Sequence, residues 1–358
     1  MVRATTTTCW GLAVGLTFLL AATPRSQAPA GGAAPKPAAP LWQRDLDASG
    51  PVAVEAGAST IFLLSASTTL EALAADDGRP LWTRSTAGQI DLVAAGEELY
   101  VLSPGTIEAI GRDGVTRWQQ KLPDGPLRAG WGAGLLAVSV GADLFVVDDA
   151  GWRRGPIGLG APPRLPPLIT NEQVILALAD DRLIALDRAT GRTAWSVATP
   201  SEPLGLAAHA NRIYVTAADG TLSCRLARTG QLEWPFNLYA LTAGPPRIDD
   251  RHAYVALFDN TVQAIDRVSG TRRWRQELTG RPTGAWLVGN RLLIAQADGV
   301  LVLLTAENGA RTARLAGEVG GATRLEAAGV VPGLKAAIFT VTTDTSAARR
   351  LSLWQPAP

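Results

Sequence analysis

The chain has 358 residues, of which 47% are hydrophobic and 18% charged, and its formal net charge is +1. This composition provides apolar material for a large core and excludes a disordered chain. The near-neutral charge leaves no electrostatic basis for binding nucleic acid or an anionic membrane surface.

The first 28 residues read as a targeting segment. Arg3 is the one charge before an apolar run from Trp10 to Ala22, whose thirteen residues fit a signal-peptide core better than a spanning helix of about 20. Leu20-Ala-Ala22 and Ala28-Pro-Ala30 both offer small-residue cleavage sites, and an uncleaved anchor is the alternative. A lipoprotein would carry a Cys just after the run; Thr23 and Pro24 stand there, and Cys9 precedes it. Residues 29–40 form a Pro/Ala/Gly linker with few large apolar side chains to pack. Residues 41–358 form the folded domain, expected to be monomeric.

From residue 41 the chain repeats itself. Ala185-Leu-Asp-Arg-Ala-Thr-Gly-Arg-Thr-Ala-Trp195 recurs as Ala264-Ile-Asp-Arg-Val-Ser-Gly-Thr-Arg-Arg-Trp274, and more loosely at Ala72–Trp82, Gly114–Trp118 and Gly230–Trp234. An apolar strand end leads into a polar turn, a Gly, and a Trp four residues later. Asp187 and Thr190 can bond their own backbone to start the turn, and Gly191 supplies a positive φ. The turn glycines stand at 78, 114, 151, 191, 230, 270 and 309, a spacing of 36 to 40 residues. Strand character at that period predicts propeller blades of four strands. A second hairpin signal recurs eleven residues before the Gly, from Asp180, Asp219, Asp259 and Asp298.

Fourth strands are marked by Trp82, Trp118, Trp195, Trp234 and Trp274, with Gly155 and Ala313 in the equivalent places of two degenerate units. Three more strands fit after Ala313 and lack a fourth. Trp42 lies 40 residues before Trp82, so the strand at 41–46 is expected to complete the last blade. The fold class is therefore all-β, an eight-bladed propeller of four-stranded antiparallel blades closed by its N-terminal strand. Closure protects sheet edges that would otherwise invite association. The residues that carry the repeat are Trp42, Gly78, Trp82, Gly114, Trp118, Asp187, Gly191, Trp195, Gly230, Trp234, Asp266, Gly270 and Trp274.

The string A-x-D-x-x-[TS]-G-x-x-x-W at 185–195 and 264–274 resembles the pyrroloquinoline-quinone-type propeller repeat with its tryptophan-docking motif. The resemblance extends over residues 41–354. In size and plan the chain is similar to the family of the outer-membrane assembly factor BamB. That resemblance implies a non-catalytic scaffold in the cell envelope, docking on periplasmic domains of the outer-membrane barrel assembly machinery. The missing lipid-bearing Cys departs from it. The enzyme alternative is a quinone- and calcium-dependent dehydrogenase; relatives of that kind are longer and carry adjacent cysteines, which this chain lacks. A third alternative is an extracytoplasmic propeller that binds a small ligand.

No catalytic, cofactor-binding or metal residue is assigned, and no cofactor is expected. Cys224 aligns with Ala185 and Ala264 and reads as a buried packing thiol. His209 and His252 read as partly exposed turn residues, too few for a metal site. The pairs Asp148-Asp149, Asp180-Asp181 and Asp249-Asp250 fall at predicted turns. Trp131, Trp152 and Trp286 lie outside the repeat position; Trp131 and Trp286 are candidate partner contacts if exposed, and packing residues otherwise. Arg153-Arg154 and Arg349-Arg350 read as solvated strand edges.

Overall fold

A computed structural model describes residues 39–46, 52–65, 69–86, 90–148, 151–316, 324–334, 337–344 and 348–355. The expected targeting segment, Cys9, Asp149 and the expected linker up to residue 38 lie outside the described residues, as do the side chains of Trp152 and Arg153. The described residues form 32 strands in eight four-stranded antiparallel sheets and contain no helix. Blades 1 to 7 follow chain order as residues 52–85, 91–121, 127–158, 168–198, 203–237, 247–277 and 282–316. Blade 8 takes three strands from residues 324–354 and its fourth from Trp42–Leu46.

Side-chain pattern explains which strand sits where. Second strands are apolar on both faces, because each blade is sandwiched between two others. Leu135–Val140 and His252–Leu257 are buried along their whole length. Fourth strands alternate, as in Arg272–Glu277, because they form the outer rim. The first strands neighbour one another round the axis, blade 8 against blade 1 included. The core is the set of interfaces between blades. One apolar cluster joins Ile61 and Leu73 of blade 1 to Phe339, Val341, Leu351 and Leu353 of blade 8.

Closure is as the repeat count requires. Trp42 pairs with Leu353 and Leu46 with Arg349. The Arg349-Arg350 cluster belongs to this seam: Arg350 Nε meets Asp45 Oδ1 at 2.7 Å, its direct cross-strand partner, and Arg349 Nε lies 3.2 Å from Glu326 Oε2. Trp42 Nε1 also donates to Ala75 O at 3.0 Å, which ties the closing strand to blade 1.

Hydrophobic burial rather than the ion pair should dominate the seam, since an exposed pair contributes about 0–1 kcal/mol and each buried large apolar side chain about 1.5–3 kcal/mol. Deleting Leu41–Leu46 is expected to lower the thermal midpoint sharply and expose dye-binding apolar surface, whereas Asp45→Ala leaves the midpoint within a few degrees. Differential scanning calorimetry with a hydrophobic dye assay checks both.

Candidate functional site

The repeat motif is a set of contacts between blades. The Trp of each intact unit lies over the turn Gly of the next blade. A methyl group on Gly78 would meet Trp42 Cε3 at 2.7 Å, on Gly114 Trp82 Cγ at 2.7 Å, on Gly230 Trp195 Cε3 at 2.7 Å, and on Gly270 Trp234 Cδ2 at 2.7 Å. Only a residue without Cβ allows that approach, and Gly191 and Gly270 also hold φ of 70° and 69°. The turn is fixed by its Asp. Asp187 Oδ1 accepts from Thr190 N at 2.7 Å, and Asp266 Oδ1 from Ser269 N at 2.8 Å. The Ser269 N–H first, then the Arg273 guanidinium, hold the Asp266 carboxyl well below the usual carboxylate range.

Every docking indole N–H except that of Trp118 then reaches a turn carbonyl. Trp195 Nε1 donates to Ala227 O at 2.7 Å, Trp234 Nε1 to Arg267 O at 3.3 Å, and Trp274 Nε1 to Ala306 O at 3.1 Å. A second aromatic tier lies beneath. Tyr100, Tyr214 and Tyr254 pack on Trp118, Trp234 and Trp274 with ring centroids 5.7, 6.1 and 5.9 Å apart. The Tyr214 hydroxyl points to the same Arg267 carbonyl at 3.4 Å, and that of Tyr254 to Ala306 O at 3.0 Å. This tier escapes the sequence reading because a buried strand Tyr looks like any core residue.

The two degenerate units have separate causes. In blade 3 the register places Arg154, not Gly155, at the Trp position: Val146 pairs with Arg154 as Ala185 pairs with Trp195. The hairpin there is tighter, with Asp148 paired directly to Gly151, and this shifts the count by one. Arg154 does the work of the indole, its Nη2 donating to Ala189 O at 2.6 Å and its Cδ lying 2.9 Å from a methyl built on Gly191. Trp118, which lies near the Gly151 turn, has its Nε1 without a hydrogen-bond partner among the described residues. Ala313 holds its expected place, opposite Leu303. It faces blade 8, where the third and fourth strands come from opposite ends of the chain, so no turn Gly exists for a Trp to cover.

Cys224 pairs with Trp234 in the small-residue position and is fully buried. Burial pushes its thiol up to about 12. His209 sits at a strand end, its Nε2 3.0 Å from Asp250 Oδ1. His252 differs from expectation: it is only 8% exposed, with its Nδ1 3.1 Å from the Tyr254 hydroxyl. Asp180 pairs with Arg182, and Asp249 Oδ1 accepts from Arg251 N and His252 N, so these carboxylates are turn residues. Among the described residues no group of three His, Cys, Asp or Glu could hold a metal ion.

Trp131 and Trp286 are not on an outer face. Both belong to first strands, Leu127–Gly132 and Pro282–Val288, are half-buried, and line cavities beside the ring axis. Trp131 also packs on Tyr100 at 5.6 Å. Two ionic groups share these inner walls. Glu55 makes no hydrogen bond or ion pair among the described residues, and Arg247 makes a single bond, from Nε to Ala285 O at 2.6 Å.

Leu41, Val115, Leu232 and Val268 are exposed singly, and three further exposed apolar residues lie on loops of blades 5 and 6. Tyr239, Leu241 and Phe258 are 84%, 42% and 40% exposed. The Phe258 N–H donates to Leu241 O at 2.9 Å, and Arg281 Cζ stands 4.2 Å from the Phe258 ring centroid. Tyr239 holds a φ of 62°, an uncommon conformation for a bulky residue, fixed by its N–H to Asn237 Oδ1 at 2.8 Å and by Leu238 N to Gly220 O. Nothing in the sequence marks this patch, since its residues become neighbours only across two loops.

The fold and the docking girdle together define an eight-bladed propeller of the pyrroloquinoline-quinone type. The family model described as outer membrane protein assembly factor BamB matches residues 34–151, 103–210 and 201–333, and the chain belongs to that family. No curated protein matches its sequence. Among solved structures it is similar to the computationally designed Ika8 protein (TM-score 0.71, 14% identity, covering 86% of this chain and 96% of that one). It is also similar to the C-terminal WD40 domain of Sif2 (0.70, 9%, 91% and 100%). BamB from Moraxella catarrhalis matches with TM-score 0.45 and 16% identity, over 88% of this chain and 100% of that one. These likenesses concern the fold alone.

Trp195→Ala is expected to cost about 3–5 kcal/mol, measured by denaturant unfolding. Gly230→Ala breaks the same contact from the other side, so the double variant loses clearly less than the sum of the two. A thiol reagent is expected to leave Cys224 unmodified at pH 8 in the native protein and to titrate it fully in denaturant, because the buried thiol is not ionised at that pH.

Proposed function

We propose that this chain is an exported, non-catalytic scaffold that docks a protein partner in the cell envelope. The observation that carries this reading is the patch of Tyr239, Leu241 and Phe258 with Arg281 beside it. Exposed aromatic and Arg side chains on adjoining loops are the composition of interface hot spots, and a Tyr held at positive φ is an arrangement a loop keeps only when neighbouring contacts stabilise it. Export rests on the apolar run before residue 23. Membrane association follows only if that segment stays uncleaved.

The family description names the partner class to try first, the assembly machinery for outer-membrane barrels. The chemistry at hand supports the non-catalytic reading: the described Cys is buried with its thiol pushed up by burial, and strand carboxylates such as Glu71, Glu108, Glu233 and Glu326 are tied up in ion pairs with Arg.

Residues 41–358 are expected to bind purified periplasmic domains of a barrel insertase by titration calorimetry. Leu241→Asp and Phe258→Asp should each weaken that binding by about tenfold or more without moving the melting temperature. Equal binding by these variants would refute the patch, and no binding by the intact chain would refute the partner class.

A further inference from the structure

The inner wall of blades 1 to 3 encloses a half-open cavity of about 550 Å³, within the size range of small-molecule sites. It is lined largely by apolar residues such as Leu92 and Leu127, and Glu55 and Trp131 also belong to its lining. Glu55 belongs to the first strand of blade 1, opposite Phe62, and Trp131 to that of blade 3, opposite Leu136. A carboxyl at such a place is costly to ionise unless a cation meets it, and none of the described residues supplies one.

The other charged groups of the cavity do not neutralise it. Asp91 is exposed and of like sign. Arg128 directs Nη1 to Leu127 O at 2.8 Å and Nε to Arg164 O at 3.4 Å. On the other flank, the first strand of blade 8 (Arg324–Val331) carries Arg324 and Glu326, the latter held by Arg349. The site therefore presents one carboxyl without a partner among the described residues, one aromatic side chain and an apolar wall.

We propose that this axial cavity binds an organic cation, an alkylammonium group, with Glu55 as its counter-ion and Trp131 as the ring over which it packs. A metal ion is a poor fit, because no three ligating side chains converge here among the described residues. An alkylammonium satisfies all three features: its charge meets the carboxylate, its charge also meets the negative face of the indole, and its alkyl part covers Leu92 and Leu127. The inference is independent of the docking patch, which lies on loops of other blades.

Burial raises the Glu55 carboxyl to about 7, so binding is coupled to a proton. The raised pKa means the empty site is largely protonated below neutrality. A cation binds the ionised form, so affinity is full above pH 7 and falls by up to about tenfold per pH unit below it.

The test is titration calorimetry of the chain with n-butylammonium chloride at pH 8.0 and 5.5, with n-butanol as the neutral control. Nα-acetyl-lysine amide distinguishes a free amine from the lysine side chain of a partner. Saturable binding of either amine, weakened more than tenfold at pH 5.5 and by Glu55→Gln, and several-fold by Trp131→Leu, is the expected result. Circular dichroism melting confirms that both variants fold. Absence of saturation by both amines up to about 10 mM, equal binding of butanol, or undiminished binding by a folded Glu55→Gln variant would overturn the proposal.

Discussion

The contact on which the ring depends is an indole laid against a backbone that has no side chain. Each docking Trp covers a turn Gly of the next blade, and all but Trp118 pass the indole N–H to a carbonyl of that same turn. The contact buries a large apolar area and, outside Trp118, satisfies the indole's polar atom as well. It also fixes the angle between blades, because the turn is held by an Asp carboxylate and cannot shift freely. Repetition of one contact, with Arg154 as substitute in one unit, sets the curvature that lets eight sheets meet.

The two weak places in the girdle follow from the same rule. Where the hairpin shortens in blade 3, Trp118 keeps its place but its N–H has no described partner. Where the ring closes, there is no turn to cover, and Ala313 stands in place of Trp. The seam between blades 7 and 8 is instead packed by Val288, Leu293, Leu301, Ile338 and Trp354. Trp354 is buried and donates to Thr340 Oγ1 at 2.9 Å.

The girdle leaves other surfaces free to vary. The rim strands alternate charged and half-buried residues, the loops of blades 5 and 6 present aromatic side chains to solvent, and the inner strands bring Glu55 and Arg247 to the axis. A scaffold fixed at one radius can carry recognition at others, which is how one propeller plan serves unrelated roles.

The repeat was legible in the sequence because each of its parts is local. The Asp, the Gly and the Trp lie within a few residues of one another, and a period of about 40 residues exposes them. Blade number and closure followed by counting, and so did the small-residue position of Cys224. Tertiary structure alone decided what depends on residues from different blades. It moved the blade 3 equivalence to Arg154, buried His252, turned Trp131 and Trp286 toward the axis, and brought Leu241 beside Phe258. A sequence states the order of residues along a strand, but the neighbour across a blade interface is set by the twist and packing of sheets, and no local pattern encodes it.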